Sequence, residues 1–300
     1  MRNTWDLEVR LGGIVGLVIV AVLMAIMVAL VAFVLLQPVS IWTFLMSAGA
    51  LVILALVIQL LYQLWGLVNA SYEMDRNALI IHWGGVHYQI PMAAVGAVLS
   101  GAEVTGVRLH LGLRWPGYFV GTGEAPDIGP ILFLATKPLA SQVIVRTSGM
   151  AYAISPKDLE EFLHLFRERL DMGPTQEVEE SSTQPRFWDW VIWKDRLGLS
   201  LLLGSVTLWV LLVGLLCWRY PSLPAEIALR FSPSGEPLLV AAASRIFYIA
   251  FLGVIFLVLN GGLGLFLYHR ERIAAYFLWG GLLALQGGLW AAAISILLRQ

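Results

Sequence analysis

The sequence predicts an α-helical integral membrane protein with an inserted small β-barrel that is capped by a C-terminal helix. Hydrophobic residues make up 59% of the 300 residues and charged residues only 13%, which is too apolar a composition for a water-soluble domain. Five long stretches carry no charge, and residues 71–170 change to the period-two alternation of β-strands. The formal net charge of −1 provides no basic field, so nucleic acid is not expected as a partner.

Two of the five spans precede the β segment. Residues 11–36 and 41–70 each exceed the roughly 20 residues that cross a bilayer, and residues 37–40 join them in a short turn. The first stretch is longer than the apolar core of a cleaved signal peptide, which has about 7 to 15 residues. We therefore interpret residues 1–70 as an N-terminal two-helix transmembrane hairpin.

Three further spans lie late in the chain, at about 197–218, 246–268 and 273–298. They place residues 197–300 in a C-terminal three-helix transmembrane region. The segment between the first two of these spans, residues 219–245, is a loop outside the bilayer.

Basic residues flank the spans unevenly and predict the orientation. The turn at 37–40 has no charge, whereas the turn at 269–272 contains two arginines. Because short cytoplasmic loops are enriched in Lys and Arg, we expect the N-terminus and the β segment inside the cell. The loop at 219–245 and the C-terminus then lie outside.

The clearest strand of the β segment is 107–115. Its apolar residues alternate with polar or small ones, the pattern of a strand with one buried and one wet face. We expect the apolar set, including Leu111 and Trp115, to lie in the core. The wet face is the candidate interaction face and comprises Arg108, His110 and Arg114.

A hairpin and a helix complete the β segment. Gly84 and Gly85 form a turn between two alternating runs. Ser155 is placed to cap the last helix, with Pro156 and Asp158 in its first turn. About seven short strands followed by this helix predict a small barrel with a helical plug.

These residues resemble the bacterial pleckstrin-homology-like (PH-like) domains. The resemblance is carried by the opening at 72–83, the Gln-Ile-Pro step at 89–91, and the closing 152–156 with Phe162 and Leu163. It implies a module that binds rather than catalyses, presented to the cytoplasm at a bacterial cytoplasmic (inner) membrane. Its expected partners are another protein or a second copy of the chain, as a homo-oligomer.

The resemblance does not extend to phosphoinositide recognition. Relatives that bind phosphoinositides carry a basic cluster on the first hairpin, whereas the corresponding region here offers only Arg76, His82 and His87. We therefore expect no specific phosphoinositide binding.

A second resemblance lies in the outer loop. The segment 223–231 with Gly235 and Pro237 is similar to a short bacterial membrane domain of unknown function, which has a Leu-Pro opening and a Gly-x-Pro turn. Arg230 replaces its usual histidine and Leu238 its usual aspartate. Because that domain also occurs in immunity proteins directed at antimicrobial peptides, the alternative function is an envelope-stress or peptide-immunity factor acting through residues 223–237.

Residues 171–196 combine an acidic linker with an interfacial aromatic segment. The first part is rich in Glu, Ser, Thr and Pro and has few apolar residues, which is typical of a solvated tether. The aromatic residues that follow are interpreted as anchors in the interface of the lipid bilayer. These anchors are Trp188, Trp190 and Trp193.

The sequence contains no familiar catalytic motif. It lacks a His-Glu-x-x-His zinc motif, a Gly-x-Ser-x-Gly elbow and a phosphate loop, so no catalytic, cofactor-binding or metal-binding residues are expected. His82, His87 and His110 could approach one another on neighbouring strands, but no carboxylate or cysteine accompanies them at ligand spacing. No span contains a charged residue, which disfavours a transporter subunit. The sequence thus favours a non-enzymatic membrane protein that presents an interaction domain.

Overall fold

The computed structural model describes residues 3–176, 178, 180–183, 191–232 and 236–299. The chain forms two compact units: residues 1–26 with 53–186, and residues 27–52 with 187–300. The helices of the described residues, in chain order, are α1 (Arg10–Leu36), α2 (Ile41–Val68), α3 (Leu159–Met172), α4 (Arg196–Arg219), α5 (Phe247–Tyr268) and α6 (Arg272–Leu297). Each unit contains part of α1 and part of α2.

Five of these helices confirm the predicted spans. In the described part of the chain, α1, α2, α4, α5 and α6 are long and apolar enough to cross a membrane, judged by length and composition. None of the five contains proline, the residue that most strongly breaks a helix interior.

The strands of the first unit form two sheets. The first sheet comprises β1 (Asn3–Asp6), β2 (Ser71–Met74), β3 (Ala78–Trp83), β4 (Val86–Pro91) and β11 (Ser181–Thr183). The second comprises β5 (Val95–Ser100), β6 (Arg108–Trp115), β7 (Tyr118–Ala125), β8 (Gly129–Ala135), β9 (Val143–Thr147) and β10 (Ala151–Ile154). The order of strands is β1-β2-β3-β4-β11 in the first sheet and β5-β9-β10-β8-β7-β6 in the second. Neighbouring strands pair antiparallel, except that β10 and β8 run parallel.

The predicted closed barrel is wrong. The strands form two separate sheets with free edges, and nine strands, β2 to β10, lie between residues 71 and 154 instead of about seven. The first sheet also recruits β1 and β11, one from before the spans and one from the linker. Strands of three or four residues give little periodic signal, so their pairing partners are set by the tertiary fold.

One core joins both sheets to α3. The Tyr72 hydroxyl donates to the Leu134 carbonyl at 2.6 Å and accepts from the Ser155 N–H at 3.1 Å, so it links the two sheets. Trp5 of β1 lies edge-on to Phe162, with ring centroids 5.2 Å apart. Other buried members of this core are Met74, Leu79, Ile81, Ile90, Val145, Tyr152, Ile154 and Phe166.

The start of α3 differs from the prediction. Asp158, not Ser155, is the N-cap, and its carboxylate accepts the N–H of Glu161. Ser155 is fully buried, and its hydroxyl accepts the N–H of Thr136 at 2.7 Å. The serine therefore ties the ends of β8 and β10 together instead of capping the helix.

The predicted burial of β6 is wrong. Leu111 is 79% exposed, Leu109 45% and Leu113 37%, while Trp115 is half-buried and stacks on Tyr118 with centroids 4.0 Å apart. β6 is the last strand of its sheet, so it has a neighbouring strand on one side only. The alternating pattern correctly predicted a strand, but the leucines of that strand are not buried.

In the second unit, α4, α5 and α6 are linked by hydrogen bonds from indole and amide N–H groups to backbone carbonyls. The Trp209 indole N–H donates to the Ala250 carbonyl at 2.8 Å, and the Gln286 amide donates to the Gly253 carbonyl at 3.0 Å. Outside these helices, β12 (Glu226–Phe231) and β13 (Pro237–Ala242) form a two-stranded antiparallel hairpin. The loop predicted at 219–245 is thus partly a β-hairpin.

We predict opposite effects for two Leu→Asp substitutions in the first unit. Leu111→Asp should change the free energy of unfolding by less than about 0.5 kcal/mol, because the side chain is already in solvent. Leu79→Asp, at a fully buried position, should prevent stable folding because it buries an unpaired charge. Thermal melts of the detergent-solubilised protein check both. A Leu111→Asp protein that fails to fold would contradict the exposed position of β6.

Candidate functional site

An exposed feature of the first unit is the free edge of β6. In the described part of the chain, β6 pairs only with β7, so one of its two backbone edges carries unpaired N–H and C=O groups. Such an edge can accept another strand. We call the residues Arg108, Leu109, His110, Leu111 and Leu113 the β6 edge.

A register shift separates the residues of the predicted interaction face. Arg108 lies opposite Glu124 of β7, whereas Arg114 lies opposite Phe119, with a β-bulge between Leu109 and Leu111. Positions 119 and 124 point to opposite faces of β7 because side chains alternate along a strand. Arg108 and Arg114 therefore lie on opposite faces of the sheet.

The three predicted residues have different surroundings. His110 Nε2 lies 3.4 Å from a carboxylate oxygen of Glu124, and both side chains are about half exposed. The Arg114 guanidinium lies over the Phe119 ring, 5.0 Å from its centroid. The strict alternation of residues in β6 gave no sign of the bulge that separates them.

The structure brings two of the three histidines together. His82 and His87 are cross-strand neighbours on β3 and β4, with their Nδ1 atoms 2.7 Å apart, so one ring donates and the other accepts. His82 Nε2 also lies 3.4 Å from a carboxylate oxygen of Glu73, whereas His110 is paired with Glu124. Among the described residues, no group of three or more His, Cys, Asp or Glu side chains is arranged to hold a metal ion.

Of the predicted interfacial anchors, Trp188 and Trp190 lie outside the described residues. Trp193 is 46% exposed. It precedes a polar network that sequence reasoning missed, centred on Asp195 at the start of α4. The signal was present, because an Asp before a long apolar helix is a common N-cap.

Asp195 uses both carboxylate oxygens. Oδ1 accepts the N–H groups of Leu197 and Gly198, each at 3.1 Å, and so caps α4. Oδ2 accepts the hydroxyls of Tyr268 at 2.8 Å and Tyr276 at 2.5 Å. The hydrogen bond from Tyr276 is the main cause that lowers the pKa of Asp195 below its ordinary value. An ionised cap thus connects the start of α4 to the facing ends of α5 and α6.

Comparison with known proteins assigns a family to the β segment alone. No curated protein and no solved structure matches the chain. The resemblance of the outer loop, residues 223–237, to a short bacterial membrane domain is not confirmed. Residues 70–170 match the family model of the bacterial PH domain, so the chain contains a PH-like domain within its first compact unit.

Proposed function

We propose that this protein is a non-enzymatic component of the bacterial cytoplasmic membrane that presents its PH-like domain to the cytoplasm. There the β6 edge binds a protein partner or a second copy of the chain. The single observation that carries this proposal is the exposure of three leucines on an edge strand. Their exposure is unusual because free sheet edges in soluble proteins are normally blunted by charge, Pro or a covering element.

The β6 edge combines two binding features. Its unpaired backbone groups suit a partner that adds an extended strand, since main-chain hydrogen bonds supply affinity in that mode. The exposed side chain of Leu111 and its neighbours Leu109 and Leu113 supply apolar area. Arg108 at the start of the strand adds a positive charge, so a partner strand with an acidic residue at that position fits best.

The β12–β13 hairpin supports a second candidate function. Leu238, Leu239 and Val240 are 62%, 47% and 52% exposed, so this hairpin also presents an apolar strand. If the hairpin lies outside the cell, this strand is a surface for an amphipathic peptide, as the envelope-stress or peptide-immunity alternative requires. Crosslinking at position 238 rather than at the β6 edge would favour this alternative.

The orientation is part of the proposal and follows from the distribution of arginines. In a variant with Cys217→Ser, a cysteine replacing Gln176 should react with a membrane-impermeant maleimide only after the cells are opened. A cysteine replacing Leu238 should react in intact cells. Both positions are exposed, so access depends on the membrane side. Reaction of both from the same side would contradict the five-span orientation.

The binding role of the β6 edge is tested by photo-crosslinking in living cells. A photoreactive phenylalanine analogue at position 111 should form adducts, because that side chain is 79% exposed on the free edge. The matched control is position 164, where His164 is exposed on α3 of the same unit. The adduct mass distinguishes a second copy of the chain from another protein.

Adducts at 111 and none at 164 are the expected result. Adding Arg108→Glu to the photoreactive protein should weaken the adduct if the partner strand carries an acidic residue there. Equal adduct yields at positions 111 and 164, or no adduct at 109, 111 and 113, would rule out the β6 edge as a binding surface.

A further inference from the structure

A cleft of about 1350 Å³ opens within the first unit, beside the ends of α1 and α2. It lies between the N-terminal segment, the β6–β7 turn and the end of β8. Its apolar lining includes Leu11, Val68, Trp115 and Phe119. Its charged lining comprises Asp6, Glu8, Arg10, Arg114, Lys137 and Lys157.

The cleft lies at one end of the helical hairpin. Arg10 is the first residue of α1 and Val68 is the last residue of α2. The two helices run antiparallel here, since Leu64 contacts Gly16 and Leu67 contacts Gly12. If α1 and α2 cross the membrane as proposed, the cleft lies at the level of the lipid head groups, because the uncharged part of α1 begins at Leu11.

The charges in the cleft do not balance. Four basic residues face two acidic ones in the lining. Lys137 is engaged, with its Nζ 3.7 Å from the Glu8 carboxylate and 3.4 Å from the Lys157 carbonyl. Among the described residues, Arg10 and the Lys157 ammonium have no carboxylate within ion-pair distance. An excess of positive charge therefore remains beside an apolar wall.

We propose that this cleft binds the phosphate of an anionic glycerophospholipid from the surrounding leaflet. Arg10 and Lys157 supply the unpaired positive charge, and a guanidinium is well suited to bind phosphate oxygens. Leu11 and Trp115 provide apolar contact for the glycerol and the first acyl carbons, as aromatic and apolar side chains do at bilayer interfaces. This inference rests on the proposed membrane placement of α1 and α2.

The cleft is separate from the first hairpin of the PH-like domain. The arginine of that hairpin, Arg76, donates to the carbonyls of Met172 and Gly173, each at 2.9 Å. It thereby caps the end of α3 and is engaged with backbone. The β2–β3 turn thus has no free arginine for a head group, whereas the cleft beside α1 has one.

The test uses the full chain purified in a mild neutral detergent. Thermal melts are recorded with dioctanoyl phosphatidylglycerol, dioctanoyl phosphatidylcholine, sn-glycerol 3-phosphate and inorganic phosphate. The cleft variant is Arg10→Gln with Lys157→Gln. The matched control is Arg146→Gln with Arg167→Gln, which removes the same charge from exposed positions of the same unit.

Phosphatidylglycerol should raise the Tm of the natural protein and of the control at lower concentration than phosphatidylcholine does. The cleft variant should need about a twenty-five-fold higher concentration for the same shift, since each of its two basic residues near an anionic lipid contributes about fivefold. Arg10→Lys with Lys157→Arg, which keeps both charges, should restore most of the effect. That variant also separates loss of binding from loss of folding.

Three outcomes would overturn the inference. These are equal shifts from the two phospholipids, equal loss in the cleft and control variants, and an equal shift from inorganic phosphate or glycerol phosphate at the same concentration. The last outcome would identify a site for soluble phosphate. Adducts at position 111 without lipid selectivity would refute this inference alone, whereas lipid selectivity without adducts would refute the partner proposal alone.

Discussion

The close approach of two glycines, Gly12 in α1 and Gly117 in the β6–β7 turn, fixes the sheets to the first helix. A Cβ on either residue would overlap the backbone of the other, and Gly117 has a φ of +81°, which other residues rarely adopt. Around this contact the Trp115 indole N–H donates to the Gly12 carbonyl at 3.0 Å. The Tyr118 hydroxyl donates to the side-chain oxygen of Gln63 in α2. The PH-like domain is therefore packed directly against the helical hairpin at this turn.

Both proposed sites depend on this attachment. The turn 115–118 joins β6 to β7, so its contact with α1 fixes where the β6 edge begins. The same turn contributes Trp115, Gly117 and Tyr118 to the lining of the cleft. Lipid in the cleft would therefore contact the hairpin that carries the β6 edge. Both proposed sites thus share the β6–β7 hairpin, with a protein partner proposed at the free edge of β6 and a lipid proposed in the cleft.

The sequence was informative wherever a local pattern determines the structure. Uncharged runs predicted all five membrane-length helices, and Gly84–Gly85 predicted the two-residue turn in which Trp83 pairs with Val86. The alternation in β6 predicted a strand, but alternation alone does not show whether the apolar side chains are covered. Their cover depends on the strand's place in the sheet, and β6 is at the edge.

The features that the sequence did not predict share a physical cause. The four residues of β1 carry little periodic signal, and their strand exists because they pair with β2 and place Trp5 in the core. The bulge that separates Arg108 from Arg114 depends on the register with β7. The cleft is assembled from five separate stretches of the chain, including 6–11 and 136–138, so no local motif predicted it. The ion-paired Lys137 and the unpaired Arg10 are distinguished only by tertiary contacts.

The contact at Gly12 should fix the sheets directly to α1. Thermal unfolding of Gly12→Ala and Gly13→Ala in the full chain in detergent measures this. Both gain the same helix propensity, but a Cβ at Gly12 overlaps the Gly117 carbonyl whereas a Cβ at Gly13 meets nothing within 4 Å. Gly12→Ala should lower the Tm and increase the solvent exposure of Trp115, whereas Gly13→Ala should leave the Tm unchanged or raise it. Equal Tm values and equal Trp115 exposure in the two variants would show that the Gly12 contact does not fix the sheets.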